Sequence, residues 1–374
     1  MKGGVLVLAL TRLTISHFRS HQLARLNFDG RPVAIFGPNG AGKTNILEAV
    51  SMFSPGRGIR RASAADMTRR PGAPGWKLSA ELRSQEQSHE IETWSEEGAS
   101  RLVRIDGKPA SQVALGRLVR MVWLVPAMDR LWTEGPDGRR RFLDRMTMSF
   151  DPSHAETVLV YEKAMRERNR LLREQMRDTH WYGALEAQMA SAGHRIHSAR
   201  QAALASLQAA QADAETAFPA AELELVQTEG AMPEHEADLR EALAESRFRD
   251  LAAGRTLVGP HRSDLFGVYA AKGVPASDCS TGEQKALLVS LILSNARALA
   301  QTSGAPLILL LDEVAAHLDA GRRASLYEEI CALGAQAWMT GTGPELFAEL
   351  GSRAQYLNIT EVAGASNVEV VPSI

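Results

Sequence analysis

Twelve residues limit what this chain can fold into more than any others: the apolar run Val33-Ala34-Ile35-Phe36 and the octet Gly37-Pro38-Asn39-Gly40-Ala41-Gly42-Lys43-Thr44 that follows it. Four apolar residues that stop at a glycine read as a strand buried on both faces. Helix-forming Asn45-Ile46-Leu47-Glu48-Ala49-Val50 comes next, so the octet is the loop of a strand–loop–helix unit. Its glycines let backbone N–H groups converge on one point, and the helix N-terminus adds partial positive charge there. A loop of this kind cradles phosphate. Lys43 is expected to reach the terminal phosphates of ATP, and the Thr44 hydroxyl to ligate Mg2+. The fold class expected is α/β.

A second apolar run, Leu309-Leu310-Leu311, delivers Asp312 and Glu313. In open α/β sheets, ligands bind at the C-terminal ends of strands. Asp312 is therefore expected to hold Mg2+ together with Thr44, and Glu313 to polarise the attacking water as the catalytic base. A third segment, Ser280-Thr281-Gly282-Glu283-Gln284, opens a helix that continues through Lys285-Ala286-Leu287-Leu288. In isolation a serine before a helix is an ordinary N-cap.

Between these points the texture changes. Residues 8 to 36 read as a strand meander with alternating apolar positions, and further strands are expected at Trp76–Arg83, Ser88–Trp94, Arg101–Ile105 and Met121–Val125. From about 150 to 216 glycine nearly vanishes, and Leu185, Met189, Ala192, Ile196, Ala199, Ala203 and Leu207 recur at helical spacing. With Val158–Met176 this predicts an antiparallel helical arm. A strand at Glu222–Val226, a helix at Glu234–Leu251, a return to the first domain at Thr256–Val258 and a strand at Pro306–Leu311 complete the reading.

Bulk properties exclude several classes. Two cysteines, Cys279 and Cys331, are too few for a disulfide framework and fit a reducing compartment. The opening MKGGVLVLAL has a cation before an apolar run, but Arg12 interrupts it and period-2 alternation takes over, as in a strand rather than a targeting segment. No stretch approaches the ~20 apolar residues of a membrane span. A cytoplasmic protein without a membrane partner is expected. The net charge of −2 does not advertise nucleic-acid binding, so any such surface must be local.

The motifs together resemble the ABC ATPases. Ser280 to Gln284 is similar to their signature motif, Asp319 in Ala315-Ala316-His317-Leu318-Asp319 matches the D-loop aspartate, and Lys43 and Ser280 lie 237 positions apart. A helical insert of that size resembles the structural-maintenance-of-chromosomes branch, and within it the RecF family of bacterial recombination mediators. The residues that carry the resemblance are Phe18-Arg19-Ser20, Thr44 to Ala49, Gly56-Arg57-Gly58-Ile59-Arg60, Arg140-Arg141-Phe142-Leu143-Asp144, Arg168 to Leu172 and Gly259-Pro260-His261-Arg262-Ser263-Asp264-Leu265. They run from about residue 8 to 350.

The resemblance implies an ABC-type head with a β-rich N-terminal lobe and a helical arm domain, with limits 1–148, 149–252 and 253–374. It implies an ATP-dependent head-to-tail homodimer in which Ser280, Gly282 and Gln284, with Asp319, complete the nucleotide site of the other copy. It also implies binding to DNA gaps and single-strand/duplex junctions, weak DNA-stimulated ATP hydrolysis, recombinase loading in DNA repair, replication and the SOS response, and RecR- and RecO-type partners. Two departures stand out. Pro126-Ala127-Met128-Asp129 replaces the usual Q-loop pattern, and Met339-Thr340-Gly341-Thr342 holds the place of the transporter switch histidine.

A transporter ATPase would share the site chemistry, but the long insert and missing histidine count against it. For a nuclease-linked ATPase, the 55 residues after Asp319 are too few for an appended nuclease domain. Arginines supply the DNA candidates. Arg60 and Arg61 lie in a stretch with Asp66 as its one acid, and Arg139 and Arg140 belong to a second cluster. A third cluster, Arg166 to Arg173, is read as a solvated helix face paired with Glu162, Glu167 and Glu174. His261 is read as a ligand or a packed loop residue, with no second His or Cys at zinc spacing. Cys279 has no neighbouring histidine to activate it and is read as structural.

Overall fold

The computed structural model describes residues 9–83, 87–212, 214–302 and 307–374. In chain order the elements begin with β1 (Ala9–Phe18), β2 (His21–Asn27), β3 (Val33–Phe36), α1 (Lys43–Ser51) and α2 (Ala64–Met67). They continue with β4 (Gly75–Arg83), β5 (Ser88–Glu96), β6 (Leu102–Ile105), β7 (Lys108–Ala110), α3 (Gln112–Leu118) and β8 (Arg120–Leu124). Next come α4 (Pro136–Phe150), α5 (His154–Arg173), α6 (Thr179–Ala212), β9 (Ala221–Gln227), α7 (Glu236–Glu245) and α8 (Arg247–Ala253). The last are β10 (Ser263–Tyr269), β11 (Val274–Pro275), α9 (Thr281–Thr302), β12 (Leu307–Leu311), α10 (Ala320–Leu333), β13 (Gln336–Gly341), β14 (Gln355–Val362) and β15 (Ala365–Val371).

Packing divides the chain into two units. One holds the chain up to Asp129, Ala214–Phe218 and Leu288–Ile374; the other holds Arg130–Asp213 and Pro219–Leu287. In the first unit the central sheet has the order β15-β14-β3-β13-β12-β8. Its five strands from β14 to β8 are parallel, and β15 is antiparallel to β14. β3, β12 and β13 are buried at every position; β3 and β12 accordingly read as unbroken apolar runs, whereas β13 carries the buried polar residues Gln336 and Thr340. A second sheet, β2-β1-β4-β5-β6-β7, is antiparallel and alternates buried with exposed residues. The core lies between the sheets and α1, where Leu13, Ile15, Leu78 and Ile91 join Ile35, Ile46, Leu310 and Trp338. Gln336, fully buried, spans the two layers by exchanging hydrogen bonds with both backbone groups of Leu10 at 2.9 and 3.1 Å.

The meander expected over residues 8 to 36 is instead a hairpin and a crossing. β1 and β2 pair with each other, whereas β3 leaves for the central sheet. The runs look alike, but β3 alone is apolar on both faces, and only the central sheet covers both. Residues 1–8 of the apolar opening lie outside the described residues, as does Pro306 at the start of an expected strand.

The second unit joins helices α4 to α8 with the small sheet β11-β10-β9. The expected helical seam is the buried side of α6, with Met189, Ala192, Ile196, Ala203 and Leu207 inside. The helix expected over Glu234–Leu251 is split into α7 and α8 at Ser246. Thr256, expected to lead back to the first domain, belongs to this unit, where its hydroxyl accepts from Arg168 at 2.9 Å. Arg168 is fully buried. It also bonds Glu186, Asp250 at 2.6 Å and the Leu243 carbonyl, a satisfied network rather than a stranded charge.

Candidate functional site

The loop after β3 needs its glycines for stated reasons. A Cβ on Gly37 would sit 2.1 Å from the Ile359 carbonyl oxygen of β14, and φ there is +147°. On Gly42, at φ +105°, it would meet the hydroxyls of Ser366 and Ser20 at 2.2 and 2.5 Å. Those serines brace the loop from outside. Ser366 Oγ lies 2.5 Å from the Ala41 carbonyl and 2.6 Å from Ser20 Oγ, and Asn45 Nδ2 donates to Ser20 Oγ at 2.6 Å. Arg69 ties the Ser20 and Gly364 carbonyls together, at 2.6 and 3.0 Å. Buried His21 donates from Nε2 to the Gly42 carbonyl at 3.2 Å, and burial pulls its pKa down.

Lys43 folds back over the loop, donating to the Gly37 and Pro38 carbonyls at 2.7 and 2.9 Å. Burial pulls its pKa below the ordinary lysine value, while the charges of Glu313 and Asp312 act in the opposite sense. One residue on, Thr44 Oγ1 donates to Asp312 Oδ1 at 2.8 Å, so the loop and the end of β12 meet. The Asp312 amide donates to the Leu124 carbonyl at the end of β8. Pro126–Met128 form a short 3₁₀ turn just beyond that strand end.

Glu313 is half-buried and takes a left-handed backbone, φ +56°, which costs a non-glycine residue about 1–2 kcal/mol. Its amide donates to Thr340 Oγ1 at 2.9 Å, and Thr340 Oγ1 donates to Asp312 Oδ1 at 2.7 Å. Thr340 was legible only as the residue standing near the missing histidine. Ser366 and His21 carried no recognisable signal, since each acts through one contact made across the fold.

Ser280, Thr281 and Gly282 are exposed at the start of α9. Ser280 and Glu283 form a capping box: the Ser280 amide and hydroxyl donate to Glu283 Oε2 at 2.9 and 2.8 Å, and the Glu283 amide donates back to Ser280 Oγ. Lys272 pairs with Glu283, and its hydrogen bond, with those from Ser280, holds the Glu283 carboxyl down at about 2. Gln284 is buried beneath, donating to the Ser277 and Cys279 carbonyls at 3.2 and 3.0 Å. Asp319 caps α10, accepting from the Arg322 amide at 2.9 Å.

Residues 9–362 match the family described as the RecF/RecN/SMC N-terminal domain. The DNA replication and repair protein RecF of Rhizobium rhizogenes is 48% identical over 361 residues, covering 94% of this chain and 96% of that protein. That of Mesorhizobium japonicum is 47% identical over 363 residues, covering 94% and 96%. The chain belongs to the RecF family. Among solved structures, the recombination mediator protein RecF–ATP of the RecFOR pathway has a TM-score of 0.84 at 23% identity, covering 99% of this chain and 100% of that one. An Smc head domain from Pyrococcus furiosus, with an extended coiled coil and bound to the C-terminal domain of ScpA, has a TM-score of 0.58 at 15% identity, covering 97% and 96%. These two likenesses are of fold: an ABC-type ATPase head.

The motifs that carry the RecF resemblance in the second unit hold that unit together. Asp144 is gripped by Arg200 at 2.8 and 2.9 Å and by His154 at 2.8 Å; burial pushes its pKa up, yet Arg200 and His154 hold it down at about 2. His261 accepts from Tyr161 at 2.7 Å and donates to the Thr256 carbonyl, and burial brings its pKa to about 4. It is a packed loop residue.

Two of the arginine candidates for DNA, Arg139 and Arg140, have partners within the second unit. Arg139 grips Asp264 through two bonds of 2.7 and 2.8 Å and donates to the Leu131 and Glu134 carbonyls, so its fork is spent inside the unit. Arg140 donates to the Ser263 carbonyl and pairs with Asp137. Arg60 and Arg61 are exposed, with Arg60 bonding Asn45 at 2.8 Å and Glu48 at 3.3 Å beside α1. In the third cluster the pairing with acids holds for Arg166 with Glu162 and for Arg170 with Glu167.

Proposed function

We propose that this RecF-family chain binds ATP with Mg2+ at Gly37–Thr44, dimerises on it, and acts in DNA replication and repair as a recombination mediator at gaps and single-strand/duplex junctions. The observation that carries the reading is the meeting of Thr44 and Asp312 at 2.8 Å beside Lys43. A hydroxyl and one carboxylate are the hard oxygen set that suits Mg2+, which takes its remaining ligands from phosphate and water. Gly37 and Gly42, which packing against Ile359, Ser20 and Ser366 and a positive φ reserve for glycine, set the loop backbone whose amides would turn toward a phosphate. Thr44 and Asp312 would hold the metal, whose charge would offset that of the phosphates. Lys43 exchanges its two carbonyl partners for phosphate oxygens, and Glu313 orients water for slow hydrolysis.

The exposed Ser280-Thr281-Gly282 segment and Asp319 serve the nucleotide of a second copy, which makes the dimer ATP-dependent. RecR- and RecO-type proteins are the partners, by family likeness and by the RecFOR setting of the RecF–ATP structure. Arg60 and Arg61 are the cations assigned to the DNA backbone. A cytoplasmic site of action belongs to this reading; no helix among the described residues is long and apolar enough to cross a membrane.

Sedimentation of the protein with ATP, with and without gapped duplex DNA, tests this. The expected outcome is a dimer with ATP that co-sediments with gapped DNA and a monomer without nucleotide. A monomer under all conditions contradicts the proposal.

A further inference from the structure

We propose that Thr340 is the positioning residue that sets the geometry of both acidic groups, a role carried by buried hydroxyl chemistry rather than by a switch histidine. The proposal rests on reading Gly37–Thr44 with Asp312–Glu313 as an ATP site.

Topology puts Thr340 where such a role is available. β13 lies between β3, which feeds the phosphate loop, and β12, which delivers Asp312. Thr340 pairs in register with Ile35 on one side, and its neighbour Met339 with Leu311 on the other. The end of β13 is therefore wedged between the two strands whose C-terminal ends form the site.

The side chain is fully buried and its one hydroxyl serves two partners. It donates to Asp312 Oδ1 at 2.7 Å and accepts from the Glu313 amide at 2.9 Å. With its proton committed and no exposed surface, Thr340 is no phosphate ligand; it acts through its neighbours. Glu313 at φ +56° has left the extended strand, and the Thr340 oxygen holds its amide at the turn. That anchor fixes where the Glu313 carboxylate starts. Asp312 is held from two sides, since Oδ1 also accepts Thr44 Oγ1 at 2.8 Å. The hydroxyl of α1 and the hydroxyl of β13 converge on one oxygen and set one side-chain orientation.

Valine at 340 keeps the size and the β-branch but removes both hydrogen bonds. Serine keeps both bonds and removes a methyl. Single-turnover ATP hydrolysis, with protein in excess so that slow chemistry is readable, is measured beside ATP affinity for wild type, Thr340→Val and Thr340→Ser. Misplacing a reacting group by about 1 Å costs on the order of 100-fold. The expected result is a hydrolysis rate lowered about 100-fold in Thr340→Val with the ATP Kd within about threefold, and both values within about threefold in Thr340→Ser.

Wild-type hydrolysis by Thr340→Val overturns the proposal. So does a serine variant as impaired as the valine one, because methyl packing would then be the cause. An ATP affinity that falls as far as the rate also overturns it, by making Thr340 a binding residue. Should the valine variant be recovered unfolded, Thr340→Cys takes its place; an intermediate rate is expected, and a wild-type rate overturns the proposal. A Lys43→Met protein that binds ATP normally removes the ATP site and this proposal with it, whereas the preceding outcomes leave the site standing.

Discussion

The phosphate loop and the Ser280–Gln284 segment both resemble nucleotide-binding motifs, and they are stabilised in opposite ways. The loop is held by residues distant in sequence: Asp312 for Thr44, Ser366 for the Ala41 carbonyl, His21 for the Gly42 carbonyl. The Ser280 segment is held by its own neighbours, through Glu283, Lys272 and the carbonyls of Ser277 and Cys279. One is wired into the sheet; the other is a self-capped, exposed helix start. A site that must grip phosphate benefits from groups fixed before the ligand arrives. A surface that completes someone else's site must stay exposed and yet keep its shape unaided, which a capping box achieves.

The sharpest break in this comparison is Lys43→Met. It removes the one loop cation while the backbone brace stays intact, so the fold is expected to survive. ATP affinity should fall about 100-fold, the ~3 kcal/mol upper range for a hydrogen bond to a charged group, as read by isothermal titration. Unchanged affinity would remove the ATP site from Gly37–Thr44.

Ser366→Ala is a smaller test of the same wiring. It deletes the hydroxyl shared by Ala41 and Ser20, a neutral pair worth about 1 kcal/mol, and should weaken ATP binding about fivefold with little change in α9. An ATP affinity unaffected by this change, in a protein that loses only stability, would make the brace structural and erase half of the contrast.

How far these features could be read in advance follows from their range. Val33–Phe36 with the glycine loop, and Leu309–Leu311 with Asp312, each carry their signal in contiguous residues, so strand, loop and acid were all legible. The brace was not, because Ser20 and Ser366 stand at opposite ends of the chain and meet only when β15 closes the central sheet. Thr340 was legible as a position but not as a role, since its two bonds depend on β13 entering between β3 and β12. The partners of Arg139 were hidden for a related reason. Charge counted along the chain cannot reveal that Asp264 waits for Arg139, 125 positions away. The split of the expected meander came from burial: alternating runs stay on a one-sided sheet, and Val33–Phe36 needs cover on both faces.

In the proposed dimer, the wired loop of one copy and the exposed Ser280 segment of the other form one site only when the two copies meet. Sedimentation velocity of Ser280→Arg with saturating ATP tests it most directly, with ATP affinity measured on the same sample. The expected result is a monomer that binds ATP with wild-type monomer affinity, because a bulky cation at residue 280 obstructs the interface and leaves Gly37–Thr44 untouched. A Ser280→Arg protein that dimerises with ATP as strongly as the wild type would contradict it, and would leave Ser280 to Gln284 as a helix cap and nothing more.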